Sequence, residues 1–361
     1  MLTSIQIENF RCFDQIKVDG LNRVNLIAGK NNVGKTAFLE AIGIWSTGLN
    51  PVGLTYLSST RIPLEKITPD IARELLLTPL FKDFDESKTI SITGSVGHSG
   101  IHTLEIKNNR AVPHEIAINQ EQYAPSLEAV ASNLSQTLKL RYMSSEGQSM
   151  EGRFWIEGNN SKIQVQGDAV ELAAPPISVS MILANSRQNS RIQSEMFGRL
   201  ELANSDYGLV ESLKLIEPRL KRIRTIVISG LPILYGDIGL PRLIPLSLMG
   251  EGLNRLVAIL LTLANHRDEL VLIDEIETGL HHSVLPNVWK VINDAAHRFN
   301  VQVIATTHSY ECIEAAHNIF SENGHYDFRL HRIDRIKNEF KPVTYDQEAL
   351  EGSVQEFFEV R

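Results

Sequence analysis

Residues Gly29–Thr36 read GKNNVGKT: a glycine, four residues, then Gly34, Lys35 and Thr36. In that spacing two glycines let backbone N–H groups curl around a run of phosphates, a lysine reaches the terminal phosphates, and a hydroxyl is left to hold Mg²⁺. The contact set expected for a nucleoside triphosphate is Gly29, Lys30, Asn31, Asn32, Val33, Gly34, Lys35, Thr36 and Ala37. Such a loop counts only where a strand enters it and a helix leaves it. Val24, Leu26, Ile27 and Ala28 form an apolar run directly before Gly29, and Phe38, Ala41, Ile42 and Trp45 recur at i, i+3, i+4 and i+7 after Thr36. Both flanks are present.

Two later segments deliver further chemistry to the same edge of a sheet. Leu270–Glu275 reads LVLIDE, four apolar residues that carry two carboxylates to the carboxyl end of a buried strand, where α/β sheets place their ligands. Asp274 is placed to hold Mg²⁺ together with Thr36, and Glu275 to polarise an attacking water. Val301–Ser309 reads VQVIATTHS, a second such strand reached by one crossover helix. That helix is expected to start at Ser283 as its cap and to bury Leu285, Val288, Trp289, Ile292 and Ala295. His308 then lands beside Asp274 and Glu275, within reach of a γ-phosphate.

Pro245–Gly252, PLSLMGEG, precedes a helix whose apolar face is Leu253, Leu256, Val257, Leu260, Leu261 and Ala264. Ser247, Gly250, Glu251 and Gly252 thus offer a hydroxyl and backbone N–H groups at a helix N-terminus, a second anion site. Two phosphate-binding surfaces for one nucleotide are reconciled by a twofold dimer, in which the loop of one subunit and the Ser247–Gly252 segment of the other enclose the same molecule.

The remainder fits around this frame. With 43% hydrophobic residues over 361 positions, the chain can bury a large core. A net charge of -8 supplies no global field for nucleic acid, so DNA or RNA would need a local patch. The compact basic run is Arg219, Lys221, Arg222 and Arg224, read equally as a solvated helix face or a DNA contact. Two cysteines, Cys12 and Cys312, exclude a disulfide framework. The start, MLTSIQIENF, has no basic then apolar leader, and no apolar run suffices to span a membrane, so a cytoplasmic protein is expected. Period-two segments at 89–93, 102–107, 138–143, 153–157 and 162–166 predict an antiparallel accessory sheet. Helical pieces such as Ile71–Leu77 precede it. Ile177–Leu183 returns to a buried strand, Arg191–Arg224 reads mostly helical, and a hairpin about 337–339 and a terminal helix through Leu350, Val354 and Phe357 close the chain.

Taken together, the four ordered motifs resemble the ABC-type ATPase heads of the SMC, RecF and OLD (overcoming lysogenization defect) group. TTHS and IDEIETGLHH are most similar to OLD-like AAA-family ATPases lacking the TOPRIM nuclease domain. The resemblance implies an α/β P-loop NTPase with a mixed sheet, crossover helices and an antiparallel β lobe, organised as one bipartite head: 1–180 and 181–361. It implies ATP and Mg²⁺ as cofactors, GKNNVGKT as Walker A, Asp274 and Glu275 as the Walker B pair with Glu275 the catalytic base, Ser247, Gly250 and Glu251 in the signature motif, Thr278–His281 in the D-loop, and His308 as the switch histidine. Gln188 is the residue implied to sense Mg²⁺ and water. Leu248 and Met249 depart from the LSGGQ or LSGGE signature, and His281 stands where an aspartate is common. The function implied is ATP hydrolysis by a nucleotide-sandwiched homodimer that switches or scaffolds a separate effector, such as a nuclease or toxin, in phage defence or DNA maintenance. A RecF-like ATP-dependent clamp on DNA is the alternative.

Overall fold

The computed structural model describes residues 1–50, 54, 73–109, 137–157, 160–166, 177–184, 189–322, 326–337 and 339–355. The chain begins with strands β1 (Leu2–Phe10), β2 (Phe13–Asp19) and β3 (Val24–Ala28), then helix α1 (Lys35–Ser46). Five strands follow: β4 (Ile90–Val96), β5 (Gly100–Asn109), β6 (Thr137–Met143), β7 (Ser149–Glu157) and β8 (Asn160–Gln166). After β9 (Val179–Ile182) come α2 (Ser190–Leu202), α3 (Asp206–Leu213), β10 (Arg222–Ile228), β11 (Leu231–Asp237), β12 (Ile244–Pro245) and α4 (Glu251–Asn265). The last stretch alternates β13 (Leu270–Ile273), α5 (Leu285–Arg298), β14 (Gln302–Thr307), α6 (Tyr310–Glu322), β15 (Phe328–Ile336), β16 (Glu339–Tyr345) and α7 (Gln347–Gln355).

Among the described residues two large sheets and a three-stranded one, β10-β11-β12, organise these elements. The antiparallel sheet runs β2-β1-β4-β5-β6-β7-β8; the five period-two segments supply β4–β8, and β1 and β2 join them in the same sheet. The mixed sheet runs β16-β15-β3-β14-β13-β9, parallel throughout except for β16. Strands β3, β13 and β14 are buried along their whole length, the pattern of parallel strands covered on both faces. Their side chains divide by parity: Val271 and Ile273 join the core under the helices, whereas Leu270 and Leu272 join the core shared with α1 and the antiparallel sheet.

Helix α1 is the wedge between the sheets. Trp45 is fully buried and its Nε1–H donates to the His102 carbonyl at 2.9 Å. A Cβ at Gly94 would strike the Trp45 ring, so glycine there is what lets β4 approach the helix. An ion pair from the partly exposed Arg11 Nε to the buried Glu40 Oε2, at 2.6 Å, ties the β1–β2 turn to the same helix.

Three local expectations change. The stretch 191–224 is helical only to Leu213; from Arg222 the run Ile223, Thr225, Val227 alternates with Ile226 and Ile228, and its β-branched side chains make a strand paired with β11. Helix α5 begins at Leu285, with Pro286 in its first turn; Ser283 instead lies in a 3₁₀ turn, where its N–H donates to His281 Nδ1 at 3.3 Å. The piece at 71–77 is a single π-turn over Arg73–Leu77, and residues 71 and 72 lie outside the described residues, as does Phe357.

His331 on β15 gives the fold an acid-sensitive point. The ring is fully buried, Nδ1 lies 2.9 Å from Thr344 Oγ1, and Nε2 has no partner among the described residues. Burial, and secondarily the Arg329 charge, hold its pKa down to about 4 from 6.5. The folded state therefore keeps the ring neutral where the unfolded chain protonates it. Stability is intact above pH 6.5 and falls as pH drops toward about 4, by at most about 3 kcal/mol from this residue. His331→Leu should flatten that limb in urea titrations between pH 7 and 4.5; parallel profiles for variant and wild type would refute the assignment.

Candidate functional site

Register brings the functional ends together. Ala28 pairs with Thr307 and Ile273 with Ala305, so the residues that follow β3, β13 and β14 all leave the sheet at one edge. The loop from Gly29 to Lys35 curls there in conformations that need glycine: Gly34 has φ +89 and Gly29 φ +151. A Cβ at Gly34 would sit 2.6 Å from Cys12 Sγ, and one at Gly29 2.7 Å from the Ile333 carbonyl. The cradle is thus closed to any side chain at these two positions.

Lys35 opens α1 and turns back into the loop, with Nζ donating to the carbonyls of Gly29 at 2.7 Å and Lys30 at 2.9 Å. Burial lowers its pKa, against the opposing charges of Glu277, Glu275 and Asp274. Next in sequence, Thr36 Oγ1 lies 3.1 Å from both carboxylate oxygens of Asp274. Asp274 is buried and also accepts from Thr306 Oγ1 at 2.8 Å. Burial raises its pKa, while the hydrogen bonds from Thr306 and Thr36 oppose the shift.

Glu275 departs from the sheet with φ +44, the left-handed region that a side chain other than glycine rarely adopts. Its N–H donates to Thr306 Oγ1 at 2.8 Å, and Thr278 Oγ1 donates to its Oε2 at 3.1 Å. Two residues on, Glu277 Oε1 gathers the end of β14: it accepts from Thr307 Oγ1 at 2.7 Å and from the His308 N–H at 2.8 Å, and lies 3.2 Å from His308 Nδ1. The imidazole is therefore oriented by a carboxylate and remains half exposed at the edge.

Ser247 and Gly250 are exposed, Ser247 in a 3₁₀ turn and Gly250 at the start of α4 with φ +107 and no side-chain cap. This segment packs on the turn after Glu277: a Cβ at Gly252 would sit 2.8 Å from the Gly279 carbonyl, and one at Gly279 would sit 2.8 Å from Glu251 Cγ. Gln188 lies outside the described residues.

Thus Lys35, Thr36, Asp274, Glu275 and His308 share one edge, while Ser247, Gly250 and Glu251 are exposed at the start of α4, packed against the turn that follows Glu277. Thr306, Glu277 and Arg255 were not singled out from sequence. Thr306 and Glu277 stood inside segments already marked by their neighbours, and their position between two parallel strand ends gives them their work. Arg255, in an apolar helix, carried no signal. The expected basic run also resolves differently: Arg219 pairs with Glu217 at 2.9 Å in a turn, and Arg222 with Asp237 at 3.0 Å on a strand, so no helix face exists there.

Among the described residues no helix is long and apolar enough to cross a membrane. Residues 1–148 match the family model described as AAA ATPase domain, and residues 170–314 the model described as AAA domain, putative AbiEii toxin, Type IV TA system. A Helicobacter pylori protein named ATP/GTP phosphatase is 24% identical over 389 residues, covering 97% of each chain. The DNA double-strand break repair Rad50 ATPase of Archaeoglobus fulgidus is 43% identical over 54 residues, 15% of this chain and 6% of that one. Among solved structures, an Smc head bound to the C-winged helix domain of ScpA aligns with a TM-score of 0.51 at 14% identity, covering 96% of this chain and 98% of that one. AAA models match both halves, and with the phosphate loop facing an acidic strand end the chain is an ATPase built on the head fold of SMC proteins.

Proposed function

We propose that the chain hydrolyses ATP with Mg²⁺ as a nucleotide-sandwiched homodimer, and that opening and closing of this dimer controls a separately encoded effector. One observation carries the reading: Thr36 and Asp274 converge at 3.1 Å beside a cradle that admits no side chain at its two glycines, while Ser247 and Gly250 stand exposed at the start of α4. The residues fit the cofactors. A buried carboxylate whose ionised form is disfavoured, next to a hydroxyl, suits a divalent cation, and the glycine cradle with Lys35 suits a triphosphate.

When bound, Mg²⁺ draws charge from the phosphate oxygens. Thr36 and Asp274 would hold it, and Gln188 is proposed to sense it. Lys35 offsets charge on the terminal phosphates, Glu275 accepts the proton of the attacking water, and His308, oriented by Glu277, donates toward the γ-phosphate. The partner's Ser247–Gly252 surface completes the enclosure and excludes water. The head is proposed to act as one bipartite unit, 1–180 and 181–361, of the OLD-like kind.

The name of the Helicobacter pylori relative supports phosphatase activity on ATP and extends the test to GTP. The description of the model matching residues 170–314 favours a toxin or defence setting for the effector. Light scattering of the purified chain should show a doubling of mass on adding Mg-ATP, reversed by EDTA; a mass that stays monomeric at saturating Mg-ATP would sink the sandwich. The DNA clamp gains no support from the basic run, since Arg219 and Arg222 are already engaged by carboxylates.

A further inference from the structure

One buried cation belongs to none of the assigned roles. Arg255 lies one turn inside α4, its side chain is buried, and it meets backbone rather than carboxylates. Nη1 donates to the Leu183 carbonyl at 2.9 Å; Nη2 donates to the Asp274 carbonyl and, at 3.3 Å, to that of Glu275. A single planar fork therefore joins three elements: the helix whose exposed start is Gly250, the end of β9, and the end of β13.

The joint falls on a strained residue. Glu275 at φ +44 persists only because its surroundings hold it there. Its N–H is taken by Thr306 Oγ1, and its carbonyl accepts from the Thr278 N–H at 3.0 Å as well as from Arg255. Thr306 belongs to the neighbouring strand and Thr278 to the same turn. Among the described residues, Arg255 is the one in α4 with a hydrogen bond to Glu275.

We propose that Arg255 is the positioning residue that couples the exposed N-terminal end of α4 to the conformation of Glu275, so that docking of that end on a partner's nucleotide sets the base for hydrolysis. This rests on the proposed base role of Glu275. Leu183 is the third member: its carbonyl bond to the same guanidinium ties the end of β9 into the joint.

Arg255→Lys in the full chain is the test, because it keeps the charge but removes the planar fork whose two terminal nitrogens reach Leu183 on one side and Asp274 and Glu275 on the other. The expected result is a fall in kcat of about thirtyfold or more with KM for ATP within about twofold. In a Glu275→Gln background the same substitution should cost less than about twofold further, since it acts through a base already removed. A merely structural arginine would instead raise KM and add its loss to that of Glu275→Gln, and either result overturns the coupling. Should the variant fail to fold, hydrogen exchange on the wild type decides: Mg-ATP must slow the amides of 251–254 and 275–278 together, and protection of one segment without the other refutes the proposal. A wild type that does not turn over ATP would defeat the ATPase reading; normal turnover in Arg255→Lys defeats only this inference.

Discussion

Glu275→Gln should lower ATP turnover at least about a hundredfold, the usual loss when a positioned general base is removed. The amide has the shape of the carboxylate and can still accept from Thr278 Oγ1, so the turn and its left-handed backbone should survive. What is lost is the acceptor for the water proton. Nucleotide affinity should change little, and in the proposed cycle the ATP-bound dimer should outlive its wild-type counterpart, visible as a long-lived doubled mass in light scattering. Wild-type turnover in this variant would place the base elsewhere.

Asp274→Asn should separate stability from activity. Burial raises the pKa of this carboxyl, so its contribution to stability is fully present below the unfolded value of 3.8 and is lost as pH rises through the higher folded value. At neutral pH without a divalent ion, the ionised side chain is therefore a liability. Asn keeps an acceptor for Thr36 and Thr306 and carries no charge. In EDTA at pH 7.5 the variant is expected to unfold a few degrees above wild type, while hydrolysis falls to background. With Mg-ADP the order should reverse, because only the wild type gains from the cation. A variant that is less stable than wild type in EDTA would contradict the assigned cost of burial.

Much of this was legible because its signals are local. The loop at Gly29–Thr36 needs glycine at two positions for reasons of space, and the runs LVLI and VQVIA are apolar because both faces of a parallel strand are covered. The antiparallel sheet announced itself by alternation. Arg222–Arg224 reads as the end of the helical stretch because its basic residues run on from Arg219 and Lys221; the strand it belongs to is defined by pairing with β11, a partner that sequence alone does not show. Glu277 and Arg255 were missed for a different reason. Their bonds go to backbone and side chains across sequence gaps that only the shared sheet edge closes, and nothing in the neighbouring residues foretells them.

The placement of β3 between β14 and β15 has a further consequence, for the newly made chain. The strand carrying the phosphate loop leaves the ribosome long before its flanking strands, Gln302–Thr307 and Phe328–Ile336. The antiparallel sheet can begin pairing during translation, since its strands are near neighbours in sequence; β3 must wait. A stalled or truncated product would thus hold the full GKNNVGKT sequence without the sheet that shapes it. Nucleotide binding is then expected only once both flanking strands have been made.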